Sequence, residues 1–112
     1  MMMSPEQAAV RVRLIEEEWL KAIFTLDCGD LVVRGFRILA SRYPNADGEH
    51  LELLPPTYED ESGRHHPVVF IPDKDLWRRL ETRMIAEYRR AQAEAAQATE
   101  AKLPLEGNVE TP

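Results

Sequence analysis

The sequence predicts an α+β protein: an antiparallel β-sheet of about five strands in meander order, packed by one long C-terminal α-helix. Three observations predict it. The stretch Lys21–Leu39 reads as two strands broken by Asp27-Cys28-Gly29-Asp30, where glycine supplies the positive φ that a hairpin loop usually needs. Short apolar runs follow at Leu51–Leu54 and Val68–Ile71, each closed by proline. Then Leu76, Trp77, Leu80, Met84, Ile85 and Tyr88 recur at spacings of three and four, which is the stripe of an amphipathic helix.

The hairpin is the organising element. Both of its strands carry apolar side chains on both faces: Ala22, Phe24 and Leu26 against Ile23 and Thr25, then Val32, Phe36 and Ile38 against Leu31, Val33 and Leu39. A strand wetted on one side alternates cleanly, so these strands are expected mid-sheet with a cover on each face. The helix supplies one cover. The second is expected to be another copy of the chain, making a homodimer.

The remaining elements follow in order. Ser4-Pro5-Glu6-Gln7 has the residues of a helix start, whereas Val10–Leu14 alternates with period two; the reading is a strand there with at most one helical turn before it. Glu16-Glu17-Glu18 marks a solvated hairpin end. Tyr43-Pro44 and Asn45-Ala46-Asp47-Gly48 form a connection with strong turn chemistry, Leu51–Leu54 a strand stopped by Pro55-Pro56, Thr57–His66 a long polar hairpin loop, and Pro67–Ile71 a final short apolar strand. Asp73 or Asp75 is placed to cap the helix. Beyond Tyr88 the alanine-rich segment favours helix without an apolar stripe, and Leu103–Pro112 has too little to bury and reads as a disordered tail. The expected division is an N-terminal extension at 1–8, one α+β domain at 9–90, and a helical extension with tail at 91–112.

Composition narrows the function classes. The chain has 112 residues, room for one core, with 44% hydrophobic and 30% charged residues as in a soluble protein. The start MMMSPEQ lacks signal-peptide character and the single Cys28 excludes a disulfide framework, so a cytoplasmic location is expected. Net charge is −6, unevenly spread. Residues 1–72 hold 7 basic and 12 acidic side chains (−5), residues 73–90 hold 6 and 4 (+2), and residues 91–112 hold 1 and 4 (−3). An acidic total opposes indiscriminate nucleic-acid binding but leaves room for a local basic site, because distant charges are screened.

The stretch Lys21–Tyr88, about 68 of 112 residues, resembles the SpoVG family of bacterial septation and sporulation regulators. The matching pieces are Thr25-Leu26-Asp27, Val32-Val33, Phe36-Arg37-Ile38, Leu51–Pro56, Gly63, Val68–Pro72 and Ala86-Glu87-Tyr88, in the family's order. The resemblance implies an antiparallel sheet with a C-terminal helix, a dimer assembled through its sheets, and nucleic-acid binding, DNA or RNA. One departure stands out. The family's basic loop is replaced here by Thr57-Tyr58-Glu59-Asp60-Glu61-Ser62-Gly63, which reverses charge where phosphate contacts would add affinity.

The candidate nucleic-acid-binding residues are Arg34, Arg37, Arg78, Arg79 and Arg83. The helix carries Lys74, Arg78, Arg79, Arg83, Arg89 and Arg90. Arg79, Arg83 and Arg90 share one side away from the apolar stripe, with Arg78 beside it, a basic strip suited to phosphates; the competing reading is a solvated face paired with Glu81 or Glu87. Arg37 matches the family's arginine between aliphatics. Strict alternation places Arg34 and Arg37 on opposite faces of their strand. His50, His65, His66 and Cys28 lack metal-ligand spacing, and no nucleophile–base set or phosphate-binding glycine loop is present, so neither cofactor nor enzyme activity is expected. The function read from the sequence is a SpoVG-like nucleic-acid-binding regulator. The alternative is a dimeric protein–protein adaptor using the acidic loop Tyr58–Glu61.

Overall fold

The structure, a computed structural model, describes residues 4–110, with side chains through residue 98. After a single turn in which the Gln7 and Ala8 amides donate to the Ser4 carbonyl, the chain forms β1 (Ala9–Leu14), β2 (Leu20–Asp27), β3 (Val32–Ala40) and β4 (Leu51–Leu54). These four make one antiparallel sheet in the order β1-β2-β3-β4. A second sheet pairs β5 (Thr57–Glu59) with β6 (His65–Pro67), and α1 (Lys74–Glu110) closes the fold. The α+β meander with its C-terminal helix is as expected, and β2 and β3 do lie mid-sheet. No helix among the described residues is long and apolar enough to cross a membrane.

Local chemistry sets each junction. In the β2–β3 turn the Asp27 carboxylate accepts from the Gly29 amide at 2.9 Å, Gly29 takes φ 91°, and the Cys28 amide donates to Leu31. In the connection after β3, the Asn45 side chain accepts from the Asp47 and Glu49 amides and donates to the Leu51 carbonyl. The helix cap is Asp73, whose carboxylate accepts from the Asp75 and Leu76 amides.

One face of the main sheet packs on α1. Ala22, Phe24, Leu26, Phe36, Ile38, Leu51 and Leu53 are buried against Leu80, Met84, Ile85 and Tyr88, with Trp77 tilted on Phe36 at 6.3 Å. The Leu53 amide on the open edge of β4 donates to the Glu81 carboxylate at 3.1 Å. Burying each large side chain contributes roughly 1.5–3 kcal/mol, so this face fixes helix to sheet.

Two expectations need correction. Pro67–Ile71, expected as the final strand, is not one, and Thr57–His66, expected as a loop, instead supplies β5 and the start of β6: Thr57–Glu59 pairs with the polar His65–Pro67. The Asp60 side chain nucleates a tight turn that fixes this earlier register, and the Val68 amide closes it by donating to the Pro56 carbonyl at 2.8 Å. Val69 and Ile71 still pack on the core as extended chain. Arg34 and Arg37 are also not on opposite faces. Gly35, at φ 102°, is an extra residue in the β2–β3 ladder: Phe24 faces Phe36 while Thr25 faces Arg34. That bulge resets the alternation. The disordered tail expected at 103–112 falls on residues whose side chains lie outside those described.

Candidate nucleic-acid interface

The register of the sheet determines what its uncovered face carries. Ala22, Phe24 and Leu26 point to the core, so their neighbours Ile23, Thr25 and Asp27 point away. Across the strands, Arg13, Ile23, Arg37 and Leu54 form one row, and Arg11, Thr25 and Arg34 form the next. Leu39 with Glu52, and Ala9 with Asp27 and Val32, extend the face at either end. It therefore presents four arginines in two columns, on β1 and β3, with two carboxylates.

These arginines differ in freedom. Arg11 reaches Asp27 at 3.3 Å yet keeps 69% of its side chain exposed. Arg37 is half-buried and donates to the Pro55 carbonyl at 3.5 Å, which aligns it along the sheet. Arg13 and Arg34 are exposed and make no hydrogen bond or ion pair with the described residues. The Cβ that Gly35 lacks would lie 3.3 Å from the Pro56 side chain, so glycine is required both by its backbone angle and by the close passage of the β4–β5 link.

The helix arginines are arranged otherwise. Arg78, Arg79 and Arg83 do line one cleft, with Ala46, Asp47 and Thr82. Arg79 is taken by the Glu6 carboxylate at 2.9 Å, which holds its guanidinium protonated even more firmly than usual. Arg83 donates to the carbonyls of Pro5 and Glu6. Together they pin the N-terminal turn onto α1 and set the entry to β1. Arg89 pairs with Glu49, and Arg90 with Glu87. Only Arg78 of the three candidates is without a hydrogen-bonding or ionic partner among the described residues. Because α1 covers the inner side of the sheet, these residues do not join Arg34 and Arg37 in one surface.

The β5–β6 hairpin forms a third region. The Asp60 carboxylate accepts from the Ser62 and Arg64 amides and the Ser62 hydroxyl, and pairs with His66 at 2.7 Å. His66 and Ser62 hold the Asp60 carboxyl far below the usual carboxylate range. Asp60 is thus turned inward to its own turn, leaving Glu59 and Glu61 as the outward acids. Tyr58, Val68 and Phe70 are exposed beside an apolar cleft of about 320 Å³ lined by Pro55, Pro67, Val69, Ile71 and Trp77.

No family model and no curated protein matches the chain.

Reading the residues as types missed two parts of this geometry. Arg11 and Arg13 were visible only as strand alternation, and their place beside β3 needs the β1–β2 register. The partners of Arg79 and Arg83 lie more than 70 residues away in sequence. A glycine inside a strand pattern, Gly35, was the available signal for the bulge.

Proposed function

We propose that this protein is a nucleic-acid-binding regulator, tied by its SpoVG resemblance to septation and sporulation control in the cytoplasm, and that it docks on phosphates through the open face of the sheet. The observation that carries this reading is the Gly35 bulge, which aligns Arg34 with Arg37 opposite Arg11 and Arg13. The chain as a whole has a net charge of −6, so four arginines to two carboxylates on one face is a concentrated exception. Arginine suits the task because its planar fork binds phosphate oxygens two at a time. Arg79 and Arg83 support the fold of β1 rather than touching the ligand.

A gel shift tests this reading. The wild type retards a nucleic-acid probe at about 50 mM salt and releases it as salt rises. Arg34→Glu with Arg37→Glu abolishes the shift. A folded wild type that retards no probe at that salt overturns it.

The alternative, a protein–protein adaptor using the acidic loop Tyr58–Glu61, is favoured by one observation, the exposed Tyr58, Val68 and Phe70, of which Phe70 lines the apolar cleft. Such a patch marks a protein contact. The expected homodimer put a second copy over the open face of the sheet, where it would set arginine against arginine, so we place the second copy at this cleft instead. Two copies joined at the hairpins keep both arginine faces free, and doubling them on one body raises avidity. A dimer seen by light scattering that Phe70→Asp dissociates supports this arrangement.

A further inference from the structure

We infer that the open sheet face is built for a single strand of nucleic acid rather than a duplex; this rests on the nucleic-acid reading above and assigns its ligand class. The arginine columns stand on β1 and β3, two strand spacings apart, or roughly 10 Å. Between them β2 contributes Ile23 and Thr25, uncharged and half-buried. Along each column the paired arginines Arg11 and Arg13 are two residues apart, about 7 Å, and Arg34 and Arg37 span a similar step across the bulge. The result is a flat strip in which Ile23 and Thr25, with Asp27 at one end, lie between two rows of arginines.

That shape discriminates between ligands. Reading or gripping a duplex through its major groove takes an element that projects into it, a helix or a two-stranded ribbon. This face has none; it is the flat of a sheet. A single strand lies along such a strip with phosphates toward the arginines and unpaired bases over Ile23 and Thr25. The guanidinium of Arg34, without a partner among the described residues, offers a plane on which a base can stack. Charge works the same way. A duplex carries a phosphate every ~1.7 Å of its axis, twice the density of one of its strands. Four arginines beside two carboxylates, Asp27 and Glu52, match the sparser charge of one strand better than that of a duplex.

The test uses the full chain and three labelled 20-mers read by fluorescence anisotropy: oligo-dT, oligo-rU, and the dA·dT duplex. The two single strands separate DNA from RNA as the source of the same ligand chemistry. At least one of them binds ten times more tightly than the duplex. Four phosphate contacts give a slope of log K against log salt of about −2.8 for a single strand. Arg34→Gln reduces that slope by about 0.7. Ile23→Ser weakens binding several-fold and leaves the slope unchanged, which a purely ionic contact would not do. Arg11→Gln, on an exposed edge side chain, repeats the slope change with no risk to folding. Duplex binding equal to or tighter than both single strands overturns this inference while the nucleic-acid reading stands. Binding of none of the three overturns both, as does a dimer that Arg34→Glu dissociates while no probe binds.

Discussion

The Tyr88 hydroxyl donates a hydrogen bond of 2.5 Å to the carboxylate of Glu16, which lies 72 residues earlier and holds a left-handed backbone at φ 57°. Gln92 donates to both groups, at 2.7 Å to Glu16 and 2.9 Å to Tyr88. The β1–β2 turn is thereby fastened to the middle of α1. Burial and the adjacent Glu16 carboxylate push the Tyr88 hydroxyl up to about 12, and the hydrogen bonds from Tyr88 and Gln92 lower the Glu16 carboxyl. A group raised in the folded state stabilises fully below its unfolded value and loses that contribution as pH climbs through the folded one. Stability therefore declines between about pH 10 and 12, and in Tyr88→Phe this part of the decline is absent. At neutral pH, Tyr88→Phe costs about 1 kcal/mol, the ordinary worth of one such bond at a half-wet site. Thermal melts across pH, with ultraviolet titration of the three tyrosines, check both statements.

Gly35→Ala forces a side chain into φ 102° and against Pro56. The strain costs about 1–3 kcal/mol. It also disturbs the residue that turns Arg34 onto the open face. Urea unfolding is expected to show a lower midpoint with an unchanged slope, and the same variant loses nucleic-acid affinity. Gly48→Ala serves as the comparison, since it shares a positive φ but its Cβ meets open space.

Asp60 organises the β5–β6 hairpin from a single carboxylate. Its depressed titration means that its contribution is present above the unfolded carboxyl range and is lost as pH falls through the folded one. Asp60→Asn keeps the oxygen that accepts from the Ser62 and Arg64 amides and replaces the one paired with His66, whereas Asp60→Ala removes both. Faster amide exchange at Ser62 and Arg64 is therefore expected in Asp60→Ala, with the main sheet unchanged. Acidification of the wild type below the usual carboxylate range reproduces the same local loss, read by hydrogen exchange along 57–67.

Arg79→Gln with Arg83→Gln releases the N-terminal turn. Exposed ion pairs contribute about 0–1 kcal/mol, so the melting temperature falls by only a few degrees. Exchange at the buried Ala8 amide quickens. The salt slope of probe binding is expected to stay within error of wild type, whereas the sheet variants move it. A slope that falls by more than one would place these arginines on the ligand after all.

Much of the fold was legible because its signals are local. The Asp27–Asp30 turn, the alternation in β1 and the stripe Leu76–Tyr88 each depend on neighbours within a few residues, and each appears where expected. Val68–Ile71 misled because apolar, β-branched composition registers burial as much as pairing, and Val69 and Ile71 satisfy it by packing alone. His65-His66-Pro67 carried no strand signal; its pairing is imposed by the Asp60 turn. The candidate interface was half legible. Arg34 and Arg37 were identifiable as strand arginines, but their common face depends on one inserted residue, and their companions Arg11 and Arg13 depend on how a third strand is aligned. Arg79 and Arg83 looked like free cations because Glu6 is distant in the chain and adjacent only after folding.

The contact between the Glu81 carboxylate and the Leu53 amide has a consequence for assembly. Backbone donors along a sheet margin are what an incoming strand would pair with, and here one is already satisfied from within, while Pro55 and Pro56 supply none. From Leu53 to Pro56 the β4 margin is thus a poor template for an incoming strand, and a fibril seeded on this protein is expected to start from the opposite border.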